Sequence, residues 1–131
     1  MDIKSIIVED IPFLIPASIQ WPNIKLSDFG DYCGAGEDIG AKIVPDSIWG
    51  LKISSACFIH DVSWEMAEPS WSDFHETNAM FMYNLSSIII CNSKSWILKY
   101  LRLYRCVTYH NAVDSIGAKI FWRLKREQKY S

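Results

Sequence analysis

Apolar and polar positions change their spacing twice along this chain. Over residues 1–30, short apolar runs are punctuated by Pro12, Pro16 and Pro22. Proline lacks a backbone donor and breaks helices, so this segment is expected to be irregular or edge-strand material. Residues 30–50 hold all but one of the six glycines, plus Pro45, and are expected to form one long loop. From Ser54 the spacing becomes helical. Ser54 or Ser55 suits the start of a helix running through Ala56-Cys-Phe-Ile-His-Asp-Val-Ser-Trp64 to Met66, and Pro69 stops it. A second start falls at Ser70–Asp73, where Ser supplies a cap oxygen and Asp73 complements the positive helix end. Phe74, Asn78, Phe81, Leu85, Ile88 and Ile89 then recur at helical intervals as far as Cys91, and Asn92 and Ser93 break the pattern.

A third helix is expected from Lys94 to Arg126. Its apolar stripe is Trp96, Ile97, Tyr100, Leu101, Tyr104, Val107, Val113, Ile116, Ile120, Phe121 and Leu124, and Gly117 marks a kink or a close contact. The pattern predicts a mainly α protein of one domain over residues 1–131. It has an irregular segment at 1–30, a loop at 29–50 and a helical core at 54–126.

Composition narrows the functional classes. Half of the 131 residues are apolar, enough for a packed core, and the formal charge is −2 with a pI near 5.9. That balance offers no field to gather nucleic acid. The C-terminal run Arg123–Lys129 is locally cationic, which suits either a solvated helix end or contact with anionic lipid headgroups. No stretch reaches the ~20 apolar residues of a membrane span, since the longest, Ala79–Cys91, contains Asn84, Ser86 and Ser87. The start, Met1-Asp-Ile-Lys-Ser, lacks the basic and apolar regions of a signal peptide, so retention, another export route or prior processing all fit. Cys33, Cys57, Cys91 and Cys106 are either two disulfides or four thiols on composition alone. Cys91 and Cys106 are candidates to pair across the second and third helices. Trp49 and Trp71 read as core residues or as interfacial anchors, and His75 and His110 as surface or helix-packing residues.

Two segments carry the chemistry. In Phe29-Gly-Asp-Tyr-Cys-Gly-Ala-Gly36, Gly34 and Gly36 allow the backbone to turn sharply and aim carbonyls inward. Calcium takes six to eight oxygens, carbonyls among them, but such a loop lacks charge and needs a carboxylate from elsewhere. Ala56-Cys-Phe-Ile-His-Asp61 offers one. His60 and Asp61 are adjacent on a helix, so Asp61 can reach a metal while His60 faces a water beside it.

These two strings, in this order and followed by a second long helix, resemble the calcium loop and catalytic helix of the phospholipase A2 family. The resemblance covers roughly residues 29–90. It implies a fold in which a calcium loop precedes two long antiparallel helices and a further C-terminal helix. It also implies Ca2+ held by the carbonyls of Tyr32, Gly34 and Gly36 and by the Asp61 carboxylate, with His60 activating water. The Gly34 amide would stabilise the oxyanion, and Cys33–Cys57 would be a disulfide clamping loop to helix. A closure of this length is worth about 3 kcal/mol in the chain-entropy model.

The chain departs from the family pattern in four places. Asn78 stands where an aspartate usually orients the histidine, with Asp73 as fallback partner, and Trp64 replaces a tyrosine. Glu37-Asp38-Ile39 replaces further glycines, and the gap containing Val44–Gly50 is longer than usual. The implied function is a calcium-dependent hydrolase of phospholipid acyl esters acting at a membrane surface. The alternative is a catalytically weak or inactive module of the same fold that binds a membrane or a protein partner. A His–Asp phosphohydrolase is disfavoured, because such sites need an upstream histidine and His60 is the first in the chain. The helical half, with a proline-aspartate loop, an apolar helix ending in His60–Asp61, Asn78-Ala-Met-Phe81 and a final helix ending near Gly117 to Arg123, also resembles a group of phage and prophage proteins of unknown function; this implies a phage-encoded origin, and location is left open between secreted and phage-associated. Oligomeric state, headgroup and acyl position are not indicated.

Overall fold

The computed structural model describes residues 1–29 and 47–130. The chain opens with strands β1 (Ile3–Val8) and β2 (Ile11–Pro16), which pair antiparallel with Val8 opposite Ile11 and Ile3 opposite Pro16. Glu9 and Asp10 form the two-residue turn, both at positive φ (51° and 66°). Positive φ at both central residues matches the right-handed twist of the flanking strands. Of the two expectations for this segment, the edge-strand one holds over residues 3–16, where a hairpin replaces the irregular structure. A two-stranded sheet has only edges, so Pro12 and Pro16 remove no hydrogen bond from a central strand.

The outer edge of β2 is satisfied by a side chain. Asn84 accepts from the Leu14 amide through Oδ1 (2.8 Å) and donates to the Leu14 carbonyl through Nδ2 (2.9 Å). A fully buried amide thus stands in for a third strand, and it docks the hairpin face carrying Ile11, Phe13 and Ile15 against the helices.

After a 3-10 turn at Leu26–Asp28, the description resumes with a second hairpin, β3 (Ser47–Ile48) and β4 (Leu51–Lys52), turning at Trp49 and Gly50 with φ of 48° and 79°. Lys52 donates through Nζ to the carbonyls of Ser27 (2.9 Å) and Phe29, so the two sides of the glycine-rich stretch meet beside β4.

Four helices follow: α1 (Ser54–Met66), α2 (Trp71–Asn92), α3 (Trp96–Ser115) and α4 (Gly117–Tyr130). The first two match the expected starts and stops, but neither Ser54 nor Ser55 caps α1: Ile53 is its cap residue, with no side-chain bond, and both serines lie buried in the first turn. Ser70 Oγ accepts from the Asp73 amide at 3.1 Å, the predicted cap. Pairs such as Trp64–Phe74 and His60–Phe81 show α1 and α2 running antiparallel. Asn78–Asp114 and Ser86–Cys106 show the same for α2 and α3. The core joins the hairpin to all four helices, with Phe13, Phe74, Phe81 and Phe121 fully enclosed. Each such ring contributes roughly 1.5–3 kcal/mol of transfer free energy.

Two expectations for the third helix are corrected. It is interrupted at Ile116, giving α3 and α4 instead of one rod, and a Cβ on Gly117 would lie 3.1 Å from Trp64 Cη2. The glycine is thus a close-contact residue at the start of α4. The first half of the expected stripe also points outward: Trp96 is 78% exposed and Tyr100 and Tyr104 are 67% exposed, while Arg102, Cys106, Tyr109 and Val113 face in. Arg102 is buried because its guanidinium donates to Ser93 Oγ (3.0 Å) and the Trp49 carbonyl (2.8 Å), tying α3 to the β3–β4 turn. No helix among the described residues is long and apolar enough to cross a membrane.

Candidate functional site

His60 lies midway along α1, its ring stacked on Phe81 and tilted against Trp64, each with centroids 4.5 Å apart. Only 8% of the residue is exposed. Burial therefore pushes its pKa down to about 4; the Asn78 hydrogen bond pulls it up and His110 pushes it slightly further down. The imidazole is neutral at pH 7.

Which ring nitrogen carries the proton follows from the neighbours. His60 Nε2 lies 2.8 Å from Asn78 Oδ1, and the Trp64 indole Nε1 lies 3.2 Å from the same oxygen. An indole nitrogen only donates, so the Asn78 atom between the two rings must be the carbonyl oxygen. The other end of the amide agrees, since Nδ2 donates to Asp114 Oδ1 at 2.8 Å. His60 Nε2 therefore carries the hydrogen, and Nδ1 keeps the lone pair.

Asp61 is partly buried. Desolvation raises its pKa to about 7, helped by the like charge of Glu65 one turn along the helix. Its side chain has no hydrogen-bond or ion-pair partner among the described residues. Phe58, one turn earlier on the same face of α1, packs against Phe29 with ring centroids 5.4 Å apart, and Trp21 closes the cluster. The last described residue before the glycine-rich stretch is thus anchored one turn from Asp61.

The expected calcium ligands Tyr32, Gly34 and Gly36, and the Gly34 amide expected at the oxyanion, lie outside the described residues. Asp61 is the ligand that can be placed, and its chemistry fits a cation: a desolvated carboxylate without a partner is raised in energy until something positive reaches it. Among the described residues, no three His, Cys, Asp or Glu side chains form a metal-holding group. Cys57 is buried on α1, and its expected partner Cys33 lies outside the described residues. Cys91 is an exposed free thiol and Cys106 a buried one, so the alternative of their pairing is corrected.

Asp73 drops out as the fallback partner of His60. Its carboxylate accepts from the Glu68 amide at 2.8 Å and faces the Met1 amino group at 3.8 Å, at the far end of the α1–α2 turn.

Two contributors escaped the sequence reasoning. Trp64 offers no hydroxyl, but its N–H reaches the same acceptor as His60. Asp114 comes from α3, where it follows the buried Val113 and lies one turn after His110; a carboxylate bordering an otherwise inward face was the available signal. His75 Nδ1 lies 3.5 Å and His110 Nε2 3.9 Å from its two oxygens.

Away from this cluster, Trp71 and Trp122 with Lys119, Arg123 and Arg126 line an open groove of about 500 Å3. Trp49 is 52% and Trp71 55% exposed, so neither is a core residue. In comparisons with known proteins, the chain matches no family model, no curated protein and no solved structure.

Proposed function

We propose that the chain is a calcium-dependent phospholipase A2-like hydrolase of phospholipid acyl esters, in which His60 activates the attacking water. The observation that carries this reading is the single proton arrangement of His60: Nε2–H is committed to Asn78, and Nδ1 is left as the base. Nδ1 takes a proton from water as the oxygen attacks the ester carbonyl. The same proton then passes to the departing alkoxide, restoring neutral imidazole. Calcium, when bound through Asp61 and the carbonyls of Tyr32, Gly34 and Gly36, would polarise the ester carbonyl, and the Gly34 amide would add a donor to its oxygen. The Cys33–Cys57 disulfide belongs to the same proposal, holding the loop against α1.

A phospholipid surface is the proposed partner. The outward aromatic stripe of α3, Trp96, Tyr100 and Tyr104, supports it, as does the groove that combines two tryptophans with three cations.

The near-complete burial of His60 and the neutral Asn78 favour a second reading, a module of the same fold that binds a membrane or a protein without turnover. Fatty-acid release from phosphatidylglycerol vesicles, with calcium and with chelator, separates the two. The hydrolase reading expects calcium-dependent release that His60→Gln abolishes. Release that survives His60→Gln, or no release with calcium present, refutes it.

A further inference from the structure

The carboxylate that a histidine base ordinarily needs has not vanished from this site but sits one residue further out. Asn78 is fully buried and bonded at both ends: Oδ1 to His60 Nε2 and Trp64 Nε1, Nδ2 to Asp114 Oδ1. From this we infer that Asp114 is a positioning residue for His60, acting through Asn78 as an amide adapter.

The physical argument has two parts. An asparagine alone can rotate by half a turn and present either end to the imidazole, so it cannot specify a tautomer. Asp114, an acceptor-only group, demands the NH2 end, and Trp64, a donor-only group, demands the oxygen end. Both demands select the same orientation and hence the Nε2–H form of His60. Second, the negative charge of Asp114 polarises the amide through its N–H, which makes Oδ1 a stronger acceptor towards His60. Asp114 is itself held between His75 on α2 and His110 on its own helix. On α4, Lys125 reaches α1 at the Glu65 carbonyl, 3.2 Å from its Nζ.

The inference rests on the hydrolase reading for its kinetic consequence but not for its structural one, and the test is built on that distinction. Ring nitrogen NMR of 15N-histidine protein at a single pH near 8 reports which nitrogen of His60 is protonated. Wild type is expected to show one Nε2–H species. Asp114→Ala removes one of the two demands and is expected to shift the Nε2–H signal; in a Trp64→Phe background, where neither demand remains, it is expected to give a mixture of tautomers. The exchange variant N78D/D114N is expected to return the single Nε2–H species, because the carboxylate then faces His60 directly and the amide anchors it from behind. If wild type hydrolyses vesicles, Asp114→Ala should lower kcat about tenfold or more with KM little changed, and the exchange variant should recover it.

Asp114→Ala leaves a buried N–H without its partner, so Asp114→Asn, which can still present a carbonyl oxygen, serves as the folded control and should keep the wild-type tautomer. A His60 ring signal that is unaltered in a folded Asp114→Ala protein overturns the inference. So does a mixed tautomer in wild type. A wild type that releases no fatty acid refutes the hydrolase reading alone, and the ring spectrum still decides the role of Asp114.

Discussion

Trp64 and Gly117 meet edge to backbone: the indole Cη2 would lie 3.1 Å from any Cβ added at position 117, and the same indole donates its N–H to Asn78. The start of α4 therefore helps to hold the residue that orients the histidine site. Trp64 is hemmed by Phe74 and Phe121 and tethered at Nε1, so it has no room to yield. Gly117→Ala is expected to destabilise the fold by about 1–2 kcal/mol, an overpacking cost that outweighs the helix-propensity gain of alanine. Urea unfolding measures it. Equal or greater stability would show that the indole moves freely.

The pH dependence of stability should hide two opposed terms. His60 titrates near 4 in the fold against 6.5 when unfolded, so between those values the unfolded state holds the extra proton and stability rises with pH. Asp61 titrates near 7 in the fold against 3.8 when unfolded, so the folded state holds the extra proton and stability falls with pH over nearly the same window. In calcium-free buffer the two slopes cancel in wild type. Asp61→Asn should make stability rise more steeply with pH than in wild type, and His60→Gln should make it fall, each by at most about 1.4 kcal/mol per pH unit. Thermal unfolding from pH 4 to 7 reads both. Parallel curves for all three proteins would contradict the shifts.

Calcium binding through Asp61 should itself depend on pH. A carboxylate that holds its proton up to about 7 must release it to bind a cation. Affinity followed by tryptophan fluorescence should fall about tenfold per unit below pH 7 and change little above it. Asp61→Asn should abolish the binding. An affinity independent of pH or untouched by that substitution would remove Asp61 from the ligand set.

The hairpin depends on one amide. Asn84→Leu removes both bonds to Leu14 and strands a buried N–H and C=O, so a loss of about 2–4 kcal/mol is expected. Faster proteolysis within residues 1–16 should accompany it, because β2 loses its side-chain hydrogen bonds to α2 and keeps only apolar packing. Amide exchange at Leu14 gives the site-specific measurement.

Thiol labelling separates the cysteines. Cys91 is exposed and should react at once with a thiol reagent in the native protein. Cys106 is enclosed, and burial pushes its thiol up to about 11, partly offset by the Ser86 hydrogen bond. It should react only on unfolding. Native labelling of both would place Cys106 at the surface.

Much of the framework was legible along the chain. Pro69 and Ser70 mark helix boundaries because capping and proline effects act within a turn, and the structure uses them as read; Ser54 marks the start of α1 without capping it. The His60–Asn78 pair was legible only through the family resemblance, which sets Asn78 where an aspartate usually orients the histidine; periodicity adds that Asn78 lies on the apolar face of its helix. The direction of α3 was not. Its aromatic stripe and its Arg102–Cys106–Tyr109–Val113 stripe are both helical in period, and period alone does not say which one the rest of the molecule covers. Edge-strand material was legible in the N-terminal segment, but its pairing into a hairpin was not. Three prolines argue against a central strand, but they are harmless where only one edge needs pairing and a distant asparagine supplies the other.

By itself the sequence determined where the first two helices begin and end and that a carboxylate follows His60. Those are consequences of local sterics and of spacing along one helix. Only the tertiary structure decided which end of Asn78 meets the imidazole, since that depends on Trp64 and Asp114 arriving from α1 and α3. Hydrogen-bond donors and acceptors 14 and 36 residues from Asn78 select its orientation only once packing has brought them to 3.2 and 2.8 Å.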